Sequence, residues 1–478
     1  MRHARVLVCL CNMVLLLILL ISFSMQAGAS QLTIKQTFAF ACDSSGKICP
    51  NGEQPNTLIQ SADGNFYGTT LLGGTGNQAA GTIFKITLTG QLTTLYTFLA
   101  DQNGNFPNGA NPSSLLEGND GFLYGTAGGG AYGFGVVFKL SRTGAIQVLH
   151  SFCGLNNCRD GTGPVSLLLG ADGNFYGGTF GTNTQPGTLF RVTPGGSYTL
   201  LHQFSAANEG PMVLGMTLGS DRNMYGTTLG RETVITSLFR LTLSGRVTVL
   251  QTIHYAQFPV SAPIQASNGK LYGGLSRFEN QAEPGIFASS LSGSDFTNIL
   301  LPSFMFGDYV GYMTSASDAN LWSIISGNDL QPEVISISPN GTLLQTVTFD
   351  GVNGANPDAP LVQSSDGRFF GVTESGGTVQ EGSTSGGVVF TLDAGLSKPA
   401  PALVTFNPSH GKVGSKLRIH GIHFVGATAV TFNGVTATFQ VLNTGNILAT
   451  VPAGATTGPI AVTNAGGTTA GKKNFTIE

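Results

Sequence analysis

The side chains able to do chemistry stand apart from one another along this sequence. Gly128, Gly130 and Gly133 satisfy a G-x-G-x-x-G spacing, which in a dinucleotide site must open a helix after a strand. An apolar run bearing Phe138 follows instead, so these glycines read as a turn. His150 and His202 occupy one place in successive units, as do Tyr96, Gln251 and Gln36, which reads as an outer-strand rim position. His420 and His423 stand three residues apart on a strand and so face opposite sides, a poor arrangement for sharing a metal. Asp63, Asp120 and Asp172 each precede Gly; they lack the alternating carboxylates of a calcium loop, and Asp-Gly suits a type I′ hairpin. No G-x-S-x-G elbow occurs,. The expectation is no catalytic, cofactor-binding or metal-binding residue, and no cofactor. Cys42 with Cys49 and Cys153 with Cys158 form two close pairs, too close for a zinc ribbon, and are expected as local disulfides worth roughly 2 kcal/mol each,.

The elements that carry these residues repeat. Apolar runs at 58–60, 65–70, 82–87 and 91–98 are separated by an Asp-Gly turn, a glycine-rich loop and a Thr-Gly turn, the pattern of a four-stranded antiparallel meander. Its register mark is an aromatic residue followed by Gly: Tyr67, Tyr124, Tyr176, Tyr225 and Tyr272, then Trp322-Ser323 and Phe370-Gly371, roughly every 50 residues,. The tyrosines read as packing between units, with sugar stacking as the alternative. A third run carries Phe84, Phe138, Phe190, Phe239, Phe287 and Phe390, whereas the sixth unit has Val334-Ile335.

The seventh unit ends near Asp393 without a fourth run, and 32–38 aligns with the fourth run 92–98. The fold class expected is therefore all-β: a seven-bladed β-propeller over 31–396, closed by the amino-terminal strand so that no sheet edge is left open. Entry segments and the loops 71–81, 127–135, 179–187, 228–237 and 373–387 would share one face, the expected contact surface. Lys398-Pro399-Ala400-Pro401 marks a stiff linker over 397–401. Runs at 403–406, 416–420, 429–432, 436–441, 447–451, 460–462 and 474–477 describe a small immunoglobulin-like β-sandwich over 402–478,.

Composition narrows the function classes. Charged residues are 10% of the chain against a typical ~25%,. The net charge is -3, so no broad basic face exists for nucleic acid. Arg2, His3 and Arg5, an apolar run over 6–21 and Ala27-Gly28-Ala29 predict a signal peptide over 1–29, cut between Ala29 and Ser30,. An uncleaved anchor is the alternative; Cys9 and Cys11 precede the apolar core and do not fit lipid attachment. No membrane span is expected after signal removal.

The repeat S-x-D-G-N-F-Y-G-T-T, a glycine-rich loop, G-T-I-F-K-I and a terminal T-F resembles the GloVer tandem repeats of exported bacterial proteins over most of 31–396. The resemblance is clear in units one to four and seven and poor in five and six. It implies a secreted or cell-surface bacterial protein, periplasmic or extracellular, with no activity to carry over. Pro408, Gly411, Gly414, Leu417 to Gly421, Phe424, Val430 to Gly434, Val451 to Gly454, Thr457-Gly458 and Gly466-Gly467 resemble the IPT/TIG domain. That resemblance implies a spacer or interaction module. The function expected is non-catalytic binding of carbohydrate or a surface protein. The alternatives are a lyase or hydrolase at the propeller axis, which needs converging ionisable groups, and a purely structural envelope protein.

Overall fold

The computed structural model describes residues 32–478 apart from 77, 182–185, 206–208, 231–235, 254–257, 277–284, 302–308 and 328–330. The expected signal peptide, with its cut between Ala29 and Ser30, lies outside the described residues. So do parts of loops 71–81, 179–187 and 228–237. Among the described residues the chain is all-β with one 3-10 turn, Asn156–Cys158.

Up to Leu392 these residues form seven antiparallel sheets in succession. The first pairs Glu53–Gln60, Phe66–Leu72, Ala79–Ile86 and Leu92–Leu99 in chain order. Its leading strand starts well ahead of the expected 58, because Gln54 (φ 56°) and Pro55 interrupt the alternation that marks a strand. The second (from Ala110–Glu117), third (from Pro164–Leu169), fourth (from Met212–Leu218) and sixth (from Tyr309–Ser315) sheets repeat this order. In the fifth the leading strand is split, with Phe258–Pro259 and Ile264–Gln265 both pairing with Leu271–Ser276. The seventh holds Val362–Gln363, Phe369–Thr373 and Thr384–Leu392. Its outer place is taken by Ile34–Cys42, with Ile34 opposite Leu392 and Cys42 opposite Thr384.

The aromatic-glycine mark has a steric cause. A Cβ built on Gly68, Gly177 or Gly371 would stand 2.3, 2.2 or 2.3 Å from Cζ of Phe84, Phe190 or Phe390, the residue directly opposite on the third strand. Only a hydrogen fits beneath that ring. In the sixth sheet, where Ser323 replaces the glycine, the residue opposite is Ile335. The two departures that make this unit look diverged therefore compensate each other.

A second regularity joins neighbouring sheets. A Phe at or just past the end of an outer strand packs edge-on against the third-strand Phe of the next sheet at five junctions, while the fourth and fifth outer strands end in Ile253 and Leu300. Phe98 meets Phe138 at 5.6 Å, Phe152 meets Phe190 at 5.1 Å, Phe204 meets Phe239 at 5.3 Å and Phe349 meets Phe390 at 5.1 Å between centroids. Phe40, on the amino-terminal strand, meets Phe84 of the first sheet at 5.2 Å in the same way. Phe40 thus stands for Phe98 and Phe38 for Tyr96, which corrects the expected alignment by two residues. Gln36 accordingly leaves the position of His150 and hydrogen-bonds Thr378 instead. A shift of two preserves which side chains face inward, so alternation alone does not reveal it.

The Asp-Gly turns also differ from expectation. Gly64 lies at φ 80° while Asp63 is not left-handed, and Gly64 N–H donates to Ser61 C=O at 2.9 Å. This is a type I turn followed by a left-handed glycine rather than type I′. Asp63 earns its place through its carboxylate, which accepts from Asn65 N–H at 3.1 Å and from Tyr67 OH at 2.8 Å. Tyr124, Tyr176 and Tyr225 donate to Asp120, Asp172 and Asp221 likewise. From the leading strands, Gln60 accepts from Ser365 N–H, Glu117 from Ala62 N–H, Gln265 from Ser220 N–H and Gln363 from Ser317 N–H, each in the preceding sheet's turn or, for Gln60, in the seventh sheet's.

The carboxyl-terminal segment is a two-sheet sandwich around Phe406, Ile419, Phe432, Ile447, Ile460 and Phe475. The expected run 436–441 divides between the sheets, as Val435–Thr436 and Phe439–Asn443. The last strand is Gly467–Ile477, longer than the expected 474–477 because its first half is polar and exposed on both faces.

Candidate functional site

In the first, second and seventh sheets the leading strand is entered through a segment that touches the loop between the second and third strands of the same sheet. Gly74 N–H donates to Cys49 C=O at 2.8 Å, Gly130 N–H to Phe106 C=O at 2.9 Å, and Gly377 N–H to Gly351 C=O at 2.7 Å. These loops share one end of the sheets, and the Asp-Gly turns hold the other. Both disulfides, Cys42 to Cys49 and Cys153 to Cys158, lie at the loop end. Among the described residues the one group with metal-ligand spacing is Cys42, Cys49 and Glu53, and the disulfide consumes both of its thiols.

His150 and His202 turn out to hold these loops in place. His150 Nε2 pairs with Asp160 at 3.1 Å and His202 Nε2 with Glu209 at 3.2 Å, while Asn108 donates to Tyr96 OH at 3.1 Å in the equivalent place. A Tyr–Asn pair doing the job of two His–carboxylate pairs marks a positioning role. Asp160 is fully buried and also accepts from Gly154 N–H and Leu155 N–H, fixing the disulfide loop. Burial pushes His150 below its usual range despite the attraction of Asp160, so the imidazole is neutral at neutral pH,.

Beside this joint the surface changes character. Tyr132 and Leu155, 55% and 50% exposed, border an open depression of about 450 Å³ floored by Val148, His150 and Gly154. Phe134, 45% exposed, stands on the same loop. Such a surface can stack on the apolar face of a ligand ring while Ser151 and His150 offer hydrogen bonds. The G-x-G-x-x-G stretch supplies this loop, running between Leu123–Gly128 and Val136–Leu140, two strands of one sheet. The turn carboxylates are committed internally: burial, which alone would raise Asp63, is outweighed by hydrogen bonds from Asn65, Tyr67 and Lys85 that hold it at about 2.

Residues 21–236 match the Gloeobacter/Verrucomicrobia repeat, and residues 401–477 match the IPT/TIG domain. The chain joins Gloeobacter/Verrucomicrobia repeats to an IPT/TIG domain. No curated protein sequence matches it. Similar solved structures include the extracellular domain of a hybrid two-component system from B. thetaiotaomicron, 13% identical, TM-score 0.49, with 89% of this chain and 53% of that one covered. A fungal alcohol oxidase in complex with copper is 12% identical, TM-score 0.48, covering 94% of this chain and 100% of that one. Puromycin hydrolase is 13% identical, TM-score 0.47, covering 81% and 61%. This chain spans about half the length of the first of these.

At the loop end of the repeats a second cluster escaped the sequence reading. Tyr309 and Tyr312, on the leading strand of the sixth sheet, lie in the field of Asp358, as does Glu374. Asp358 follows Asn356-Pro357 as Ser113 follows Asn111-Pro112, so one unit carries a carboxylate where its counterpart has a hydroxyl. Partial desolvation raises Asp358, which is still exposed, and Glu374 above their usual values, and with the charge of Asp358 it pushes Tyr312 up to about 12.

The IPT/TIG domain sits against the opposite end, on the Asp-Gly turns. Asn443 donates to Glu117 C=O at 3.3 Å and to Asn119 at 3.1 Å, and Ser317 donates to Ser397 C=O at 2.8 Å. Segment 397–401 is therefore held along its length, with Asn464 donating to Pro399 C=O at 3.0 Å. His420 and His423 open onto different cavities of this junction, and burial lowers each to about 4. No helix among the described residues is long and apolar enough to cross a membrane.

Proposed function

We propose that residues 31–396 form a seven-bladed β-propeller closed by the amino-terminal strand, on a chain exported after removal of 1–29. The Phe40–Phe84 contact, equivalent to four contacts between consecutive sheets, supports that reading. The propeller acts as a non-catalytic binding module at the bacterial surface or outside it. Its loop face is the contact surface, and the IPT/TIG domain over 402–478, joined by 397–401, is the spacer that bears on the other face. Carbohydrate is the leading partner class and a surface protein the alternative. The exposed Tyr132 and Leu155 bordering a depression that His150 and Ser151 also line, with Phe134 exposed on the same loop, carry this reading. Glycan-array binding by the mature chain tests it: Tyr132→Ala and Phe134→Ala should each weaken binding about tenfold, as should trimming loop 127–135. A silent array together with unaltered binding of these variants to cell envelopes would refute it and leave a structural envelope role.

A second reading, a lyase or hydrolase at the channel mouth, draws on Asp358, Glu374, Tyr309 and Tyr312. A carboxyl with a raised pKa is a serviceable general acid. Turnover of any ester, lactone or uronide substrate that Asp358→Asn abolishes would favour it.

A further inference from the structure

We propose that the cleft between the repeats and the IPT/TIG domain binds a small organic carboxylate with an aliphatic body, held by Arg222 and Arg418. This site lies at the turn end of the sheets and is independent of the loop face. Three donors there, Arg222 Nε, Arg418 Nε and Asn119 Nδ2, and the ring nitrogen His420 Nε2 are buried without a hydrogen-bond partner. Buried donors nearly always have one, so several missing at one junction point to an absent acceptor. Among the described residues neither guanidinium belongs to an ion pair. The acids nearby are occupied: Glu117 pairs with Arg142, and Asp172 accepts from Tyr176 OH at 2.8 Å. The two arginines come from different domains and flank His420, which lines one space with Arg222 and an adjoining one with Arg418, and Arg418 extends over the Gly173 turn of the repeats.

The space beside them fixes the rest of the ligand. A cavity of about 280 Å³ is walled by Ile59, Leu168, Leu218 and Ile422, with Arg222, His420 and the Arg142-paired Glu117 at its polar side, and Arg418 stands beyond His420 in an adjoining polar space that Asp172 also lines. It shares Ile59 and Ile422 with a neighbouring cavity of about 300 Å³. Aliphatic walls disfavour a strongly hydrated dianion such as free phosphate. Paired guanidinium forks suit a carboxylate, and the walls suit a hydrocarbon chain.

Calorimetric titration of the mature chain with octanoate, octanol and inorganic phosphate tests this. Octanoate is expected to bind at one site per chain, with octanol and phosphate at least about tenfold weaker. Arg222→Gln and Arg418→Gln should each weaken octanoate about tenfold while leaving the thermal midpoint within about 2 °C. No octanoate binding, equal binding of octanol, or undiminished binding by both variants would overturn the proposal and assign the orphaned donors to water. Should a glutamine variant fail to fold, Arg418→Lys decides. It keeps the charge and loses the fork, so weakened binding supports the proposal and wild-type affinity overturns it.

Discussion

Placing a serine at Gly371 tests the steric rule behind the repeat. The three nearest atoms to a Cβ there all belong to Phe390, at 2.3, 2.7 and 3.1 Å. Phe390 is fully buried and packs edge-on against Phe349 at 5.1 Å, so its ring cannot give way by the ångström or more required. Gly371→Ser should cost about 2–3 kcal/mol, the upper range for overpacking. Phe390→Ile forfeits the aromatic contact, about 0.5–1.5 kcal/mol, and leaves a void, for about 2 kcal/mol in all. Independent effects would sum to about 5 kcal/mol. The sixth sheet already combines Ser323 with Ile335, so the double variant should lose only about 2 kcal/mol, a coupling of about 2–3 kcal/mol. Urea unfolding reports it through Trp322, the single tryptophan, which is buried and 4.7 Å from Phe369 of the seventh sheet. A double variant within about 0.5 kcal/mol of the summed singles would refute the reasoning.

Further outcomes follow from other sites. Ala319, at φ 63°, occupies the place a left-handed glycine holds in other turns, so Ala319→Gly should stabilise the chain by about 0.5–1 kcal/mol in the same assay, strain relief exceeding the added unfolded-state entropy. Gln60→Ala removes the side chain that accepts from Ser365 N–H, and should cost about 1–2 kcal/mol and speed hydrogen exchange at Ser365. His420 and His423 titrate near 4 when folded and near 6.5 otherwise. The unfolded chain thus binds more protons between those values, and the urea midpoint should fall as pH drops from about 6.5 to 4. His420→Gln with His423→Gln should flatten that slope. Asp63, held at about 2, adds stability above its unfolded value that disappears as pH falls toward 2,; Asp63→Asn should remove that acid-side loss.

The repeat was legible because its marks have local steric causes: a glycine under a phenylalanine ring and an aspartate bonded to the tyrosine four residues on. What alternation cannot carry is an offset of two, which is why Phe38 rather than Phe40 first looked equivalent to Phe98. Gln60, Glu117, Gln265 and Gln363 repeat just ahead of the Asp-Gly and Asn-Gly turns in the sequence, yet a polar residue ending a strand gives no hint that it reaches the preceding unit. Tyr132 and Phe134 sit in a glycine-rich loop whose exposure depends on neighbours far along the chain. The seating of the IPT/TIG domain was illegible for a related reason, since Asn443 and Arg418 contact turns that no local pattern pairs with them.

The most direct test of the account is a cross-link between the two ends of the repeat region. Lys35 stands opposite Thr391, so the mature Lys35→Cys, Thr391→Cys chain should form an intramolecular 35–391 disulfide under mild oxidation, found by peptide mapping in a monomer. Free thiols at both positions, or bridges only between separate chains, would contradict it.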